Sequence, residues 1–147
     1  MTRWLLDTNV VSESFRPAPS VAVGAWFGAN RAEDMFIASM TLAEVRRGVL
    51  GAPDGARRRR LNAWFEGPDG PQALFAGRIL PFDEAAALHW ARLMADGARA
   101  GKPRSPLDMI IAAVAHAHDC VVVTGNDRHF RGIVPVINPA RGESLPG

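Results

Sequence analysis

The alternation of strand-length and helix-length patterns predicts an α/β domain built around a mainly parallel sheet. Three observations predict it. Apolar runs of strand length recur at Trp4 to Leu6, Met35 to Ala38, Arg78 to Pro81, Cys120 to Val123 and Val134 to Ile137. Segments of helical period fill the intervals between them. Such alternation is what βα units require, because parallel strands need crossover connections and are covered on both faces. The 147 residues suit one domain, 1–147, that buries about two-thirds of its unfolded surface.

The elements follow in order. The first strand, WLL, is continuously apolar and ends at Asp7. A helix over 20–29 carries Val21, Trp26 and Phe27, and MFIA forms the second strand. Helices over 42–50 and 57–66 are separated by the turn GAPDG, and GPDGP at 67–71 closes the second of them. After the third strand comes EAAALHWARLMADGARA, helical over 84–100 from the spacing of Ala85, Leu88, Ala91, Leu93 and Ala95 and from its alanine content. SPLDMIIAAVAHAH supplies a helix over 107–118 that is apolar on nearly every face and so has to lie deep in the fold. CVVV and the strand ending in VIN follow, and the Pro/Gly-containing end reads as a loose tail from about 139.

Composition excludes several classes. The single cysteine, Cys120, lies in an apolar run and reads as a buried thiol, so no disulfide framework is expected. No signal-type leader and no apolar run approaching the ~20 residues of a membrane span is present, and a soluble cytoplasmic protein is expected. The net charge is +2, but the basic residues are sixteen arginines and one lysine, four of them adjacent at Arg57 to Arg60. That balance permits a polyanionic partner without requiring one.

Four acids stand where a parallel sheet gathers ligands, beyond the carboxyl ends of its strands. Asp7 ends the first strand, Glu44 follows the second, Asp108 opens the apolar helix and Asp127 follows CVVV. Three of them obey capping-box spacing: Thr41 with Glu44, Ser105 with Asp108, and Thr124 with Asp127. Each is therefore either a helix-start carboxylate or a ligand. If the four converge, they repel one another unless a cation lies between them. Carboxylate oxygens with retained waters suit a hard ion, Mg²⁺ or Mn²⁺.

LLDTNVVSE, SMTLAEVRRGV, ILPFDEAAALHWARL, GKPRSPLDMIIAAVAHAH, VVVTGNDRHF and VINP, in this order, resemble the PIN-domain toxins of bacterial VapBC and FitAB type. The resemblance implies a three-layer α/β/α domain, a metal-dependent ribonuclease, a homodimer, and inhibition by a small antitoxin. It places Asp7, Glu44, Asp108 and an acid of the TGND segment in one pocket. Many relatives have TRN followed two residues later by DF. Here the segment is TGNDRHF, with His129 in place of that aspartate, so Asp127 is the acid available and Asn126 is a further candidate acting through water.

In the mechanism this implies, Asp7 and Asp108 hold the ion, with Glu44 and Asp127 reaching it through water. Water activated by the ion attacks an RNA phosphodiester in line, and Glu44 orients that water or takes its proton. Asn9 and Thr124 turn the acids by hydrogen bonds, or else serve as turn and cap residues. Arg46 and Arg47 are candidates for contact with RNA or antitoxin. His116 and His118, two residues apart on a helix, point apart and form no metal pair. Two alternatives stand beside this reading. DTNVV approximates the opening of a haloacid-dehalogenase-type phosphotransferase, but with Asn9 at its second acid and Lys102 as the only lysine. A PIN-fold protein retained only for binding is the other.

Overall fold

The computed structural model describes residues 1–16 and 18–143, without the side chains of residues 14 and 15. Five strands, β1 (Arg3–Leu6), β2 (Met35–Ala38), β3 (Ile79–Leu80), β4 (Cys120–Val123) and β5 (Val136–Ile137), form one sheet in the order β3-β2-β1-β4-β5. All four pairings are parallel; β1 aligns Trp4 with Met35 on one side and with Val121 on the other. The chain steps from β1 through β2 to β3, then returns to the opposite side of β1 for β4 and β5. That reversal creates a crevice at the carboxyl ends of β1 and β4, the position where open α/β sheets bind ligands.

Among the described residues, seven α-helices cover the sheet: α1 (Thr8–Val11), α2 (Val21–Ala29), α3 (Ser39–Gly51), α4 (Ala56–Glu66), α5 (Pro71–Leu74), α6 (Glu84–Arg99) and α7 (Pro106–Ala117). Side chains alternate along each strand, so the sheet feeds two cores. Trp4, Leu6, Ile37 and Val123 face α1 to α4 together with Trp26, Val45 and Phe65, while Leu5, Ala38 and Val122 face α6 and α7 through Met109, Ile111 and Ala112. This is the three-layer α/β/α arrangement. Leu5 and Leu6 are fully buried in opposite cores, each contributing about 1.5–3 kcal/mol. Trp4 and Trp26 meet edge to face at 5.4 Å.

α7 is apolar all round because it is enclosed between β4 and α6. α6 grips it through Trp90, whose Nε1–H donates to the Pro106 carbonyl at 3.1 Å, and through Arg104, which crosses α6 to donate to the Leu93 carbonyl at 2.7 Å. Gly97 makes that crossing possible, since a Cβ there would lie 2.9 Å from the Arg104 side chain. Cys120 is buried as expected, and burial pushes its thiol up to about 11. No helix among the described residues is long and apolar enough to cross a membrane.

Two local expectations are corrected. α3 begins at Ser39 directly from β2, with Ala38 at its N-cap, so Thr41 lies inside the helix and caps nothing. The polypeptide passes from strand to helix without a linker, which moves the start three residues ahead of the predicted 42. Residues 139–143 are not loose: Pro139–Arg141 form a 3-10 turn packed on α2, and Asn138 accepts the Ala140 N–H at 3.0 Å. Arg141 and Glu143 anchor this segment by ion pairs. The rest of the predicted tail, 144–147, lies outside the described residues.

Candidate active site

Asp7 sits at the crevice because its own N–H continues the β1–β4 ladder, donating to the Val123 carbonyl at 2.9 Å. It is 5% exposed. Its Oδ1 caps α1 by accepting the Thr8 N–H at 2.9 Å, and its Oδ2 accepts the Thr124 hydroxyl at 2.8 Å and the Asn9 amide at 3.3 Å. Asn9 also receives the Gly125 N–H at 2.8 Å, which ties the turn after β1 to the turn after β4.

Burial pushes the Asp7 carboxyl above its usual range. Hydrogen bonds from Thr124 and Thr8 pull it partly back, and the negative charges of Asp108 and Glu44 push it up again. Asp108 and Glu44 thus lie close enough for their charges to act on Asp7. Glu44 projects from the interior of α3 rather than from its start, and its Oε1 accepts the Thr8 hydroxyl at 3.0 Å. Asp108 opens α7: its N–H donates to Ser105 Oγ at 3.3 Å, while its carboxylate turns away from the cap to lie 2.8 Å from His129 Nδ1. For Asp108, then, cap geometry holds the backbone and leaves the charge to the crevice.

Asp127 does not join them. It is 1% exposed, with Oδ1 accepting the Asn138 amide at 2.9 Å and Oδ2 accepting Arg131 Nε at 2.7 Å and Arg141 Nη1 at 2.9 Å. Burial alone would raise its carboxyl; Asn138, Arg131 and Arg141 outweigh burial and hold it below the usual range. Its charge is balanced by two guanidinium groups of the chain itself, so Asp127 is held as a structural anion apart from the other acids. The capping-box reading fails here too, because Thr124 Oγ1 accepts from Asn126 N–H at 3.0 Å and spends its own proton on Asp7. Asn126 contributes that backbone contact and has an exposed side chain.

Arg46 is likewise committed. Its guanidinium donates to Asn62 Oδ1 at 2.7 Å, lies 3.8 Å from Glu66 and covers the Phe65 ring at 4.9 Å, clamping α3 to α4. Arg47 is exposed. Three contributors were not named as site residues from sequence: Thr8, His129 and Asn138. Thr8 and Asn138 are polar residues just past β1 and β5, a signal of the same kind as Asp7 itself.

Two clefts adjoin the acids. One, of about 340 Å³, borders Glu44, Thr8 and Asn9 and is walled by Val45, Leu61 and Trp64. The other, of about 490 Å³, borders Asp108 and His129. As a donor set, Asp7, Glu44 and Asp108 suit a hard divalent cation: all are carboxylates, and the leading charges acting on the most buried one, Asp7, are negative. Among the described residues no three His, Cys, Asp or Glu side chains enclose a point by themselves.

The PIN domain family model matches residues 4–134. The chain is 40% identical over 136 residues to toxin FitB of Neisseria gonorrhoeae, covering 92% of this chain and 96% of FitB. To the VapC ribonuclease Y4jK of Sinorhizobium fredii it is 39% identical over 136 residues, with the same 92% and 96% coverage. Among solved structures it is similar to FitAB bound to the IR36 DNA fragment, with TM-score 0.87, 37% identity and 98% of each chain covered. It is also similar to a member of the VapBC family of toxin-antitoxin systems from Mycobacterium tuberculosis, with TM-score 0.67, 28% identity and coverage of 93% and 97%. Neither the sheet-end acids nor these relatives favour the haloacid-dehalogenase alternative, and the chain belongs to the PIN-domain family, in the branch that includes VapC and FitB.

Proposed function

We propose that this protein is the toxin of a toxin–antitoxin pair and a Mg²⁺- or Mn²⁺-dependent endoribonuclease that hydrolyses RNA phosphodiester bonds. The observation that carries the reading is Asp7, a buried carboxylate with a raised pKa whose charged neighbours are the two acids Asp108 and Glu44. Ribonuclease and toxin are the names of its relatives, and they agree with that chemistry.

Asp7 and Asp108 would hold the ion, with Glu44 reaching it through water. When bound, such an ion supplies a Lewis acid that activates water and offsets the negative charge of the phosphate. The chain's own residues do the positioning. Thr124 and Asn9 fix Oδ2 of Asp7 from one side. Thr8 fixes Oε1 of Glu44, leaving its other oxygen to accept a proton from the attacking water. The negative charge of the crevice also suits an inhibitory partner. A basic side chain from a small antitoxin would satisfy the same carboxylates by charge-assisted hydrogen bonds. The same reading includes a homodimer acting in the cytoplasm.

The purified chain is expected to cleave RNA with Mg²⁺ or Mn²⁺ and to stop on chelation. Its expression should arrest growth unless a neighbouring small protein is co-expressed. Absence of both cleavage and arrest in the folded wild-type chain would favour the binding-only alternative, for which the withdrawal of Asp127 from the acid set is the relevant observation.

A further inference from the structure

The cleft on the Asp108 side carries a charge pattern that the acid site does not use. Its lining includes Lys102, Arg104, Arg128 and Arg131, and among the residues lining it Asp108 is the only acid. Two of these cations are spent elsewhere: Arg104 on the Leu93 carbonyl, Arg131 on Asp127 and Glu143. Lys102 and Arg128 are exposed, and neither side chain has a hydrogen bond or an ion pair to another described residue. Their backbones are nevertheless fixed. Lys102 N–H donates to the Gly97 carbonyl at 2.9 Å, and Arg128 lies in the 3-10 turn Asp127–His129, whose end is held by the His129 N–H to Asn126 bond at 3.0 Å. Two anchored, uncommitted cations therefore flank a cleft of about 490 Å³ that opens beside Asp108.

We infer that this cleft seats the nucleotide chain on one side of the phosphodiester being cut, with Lys102 and Arg128 as positioning residues that contact backbone phosphates. The inference rests on the nuclease reading above. A polymer cut internally has to run past the acids in both directions, and the two adjoining clefts are the spaces that receive it. The cleft beside Glu44 is walled by Val45, Leu61 and Trp64 and carries Arg57 and Arg16, the latter paired with Glu13, whereas the one beside Asp108 carries two uncommitted cations, Lys102 and Arg128. Phosphate contacts of this kind are independent of base sequence, and they show as salt dependence.

The test measures binding of a fluorescein-labelled single-stranded RNA 20-mer to the full chain in chelator, so that no cleavage occurs, across 50 to 200 mM KCl. Loss of two contacts in Lys102→Ala/Arg128→Ala should reduce the slope of log K against log[salt] by about 1.4, at about 0.7 per phosphate for single strands. With metal present, KM should rise about tenfold or more while kcat changes less than about twofold, since the contacts act equally on ground and transition states. Lys102→Arg/Arg128→Lys should restore both readouts, which separates charge from folding. An unchanged slope and KM in the alanine variant of a chain that cleaves RNA would overturn the cleft assignment alone. A slope that falls as expected in a chain that never cleaves would keep the cleft as a nucleic-acid seat and overturn the nuclease reading. Equal competition by a poly-glutamate 20-mer would overturn the nucleotide assignment in favour of an acidic protein segment.

Discussion

Asp7 and Asp127 follow the carboxyl ends of neighbouring strands, β1 and β4, and both are almost wholly buried, at 5% and 1% exposure. Their surroundings are opposite. Asp127 accepts two guanidinium groups and an amide, and its carboxyl is held low. Asp7 accepts a hydroxyl, an amide and a backbone N–H, has Asp108 and Glu44 as its leading charged neighbours, and is held high. A buried anion whose partners come from the chain is complete and contributes to folding. One whose neighbours share its sign is costly to keep ionised, and what relieves the cost is a cation from outside. Burial alone therefore does not mark a functional acid; the sign of the charges around it does.

The largest expected effect tests this contrast in catalysis. Asp7→Asn should lower RNA cleavage by at least ~100-fold, the upper range for losing even an indirect support of a metal, while Asp127→Asn should stay within about tenfold once corrected for folded protein. Saturating Mg²⁺ or Mn²⁺ at 100 times its dissociation constant should add about 2.7 kcal/mol to wild-type stability. Thermal melts should show that gain kept in Asp127→Asn and lost in Asp7→Asn. Similar activity losses in both variants, with similar metal responses, would return Asp127 to the acid site.

Stability should reverse the ranking. Asp127→Ala leaves Asn138, Arg131 and Arg141 without their shared acceptor. Because the two arginines are about half exposed, water recovers part of the loss, and about 2 kcal/mol is expected, within the range for hydrogen bonds to a charged group. Asp7→Asn, by removing a buried charge with like-charged neighbours, should leave metal-free stability equal or higher. Urea midpoints at neutral pH check both, and a large destabilisation by Asp7→Asn without metal would break the comparison.

The smallest effect is in pH dependence. Asp127 is held low in the fold, so its contribution is present above the ordinary carboxylate value of about 3.9 and is lost as pH falls through the folded value. Asp7 is held high, so its contribution is present below that value and is lost as pH rises through the folded one. Urea midpoints across pH 3 to 8 should show Asp127→Asn flattening the acid limb, and Asp7→Asn removing a decline that begins above about pH 4. Both variants acting on the same limb would show that the two sites are not electrostatically opposite.

Much of this molecule is legible in its sequence. Runs such as MFIA and CVVV read as buried parallel strands because nothing polar interrupts them, and both match the observed bounds. SPLDMIIAAVAHA reads as an enclosed helix for the same reason, with Ser105 and Pro106 marking its start. Asp7 and Asp108 stand out because a charge at the end of an apolar element needs a partner. Capping boxes were less reliable: Thr41 to Glu44 and Thr124 to Asp127 have the spacing without the geometry, since spacing along the chain cannot say where a helix begins or whom a hydroxyl faces.

What only the tertiary structure decided is which acids share a space. Asp127 is as close in sequence to β4 as a fourth ligand would be, yet it is claimed by Arg131 and Arg141, the second from a segment that reads as a loose tail. Glu44 and Asp108, 64 positions apart by their numbers, both act on Asp7 because β2, β1 and β4 are neighbours and α3 and α7, in opposite layers, bring them to the same crevice. Periodicity and capping are local properties, carried by residues within a few positions of one another, and the sequence alone determines them. The partner of a buried charge is chosen by long-range packing, and chain position does not encode it.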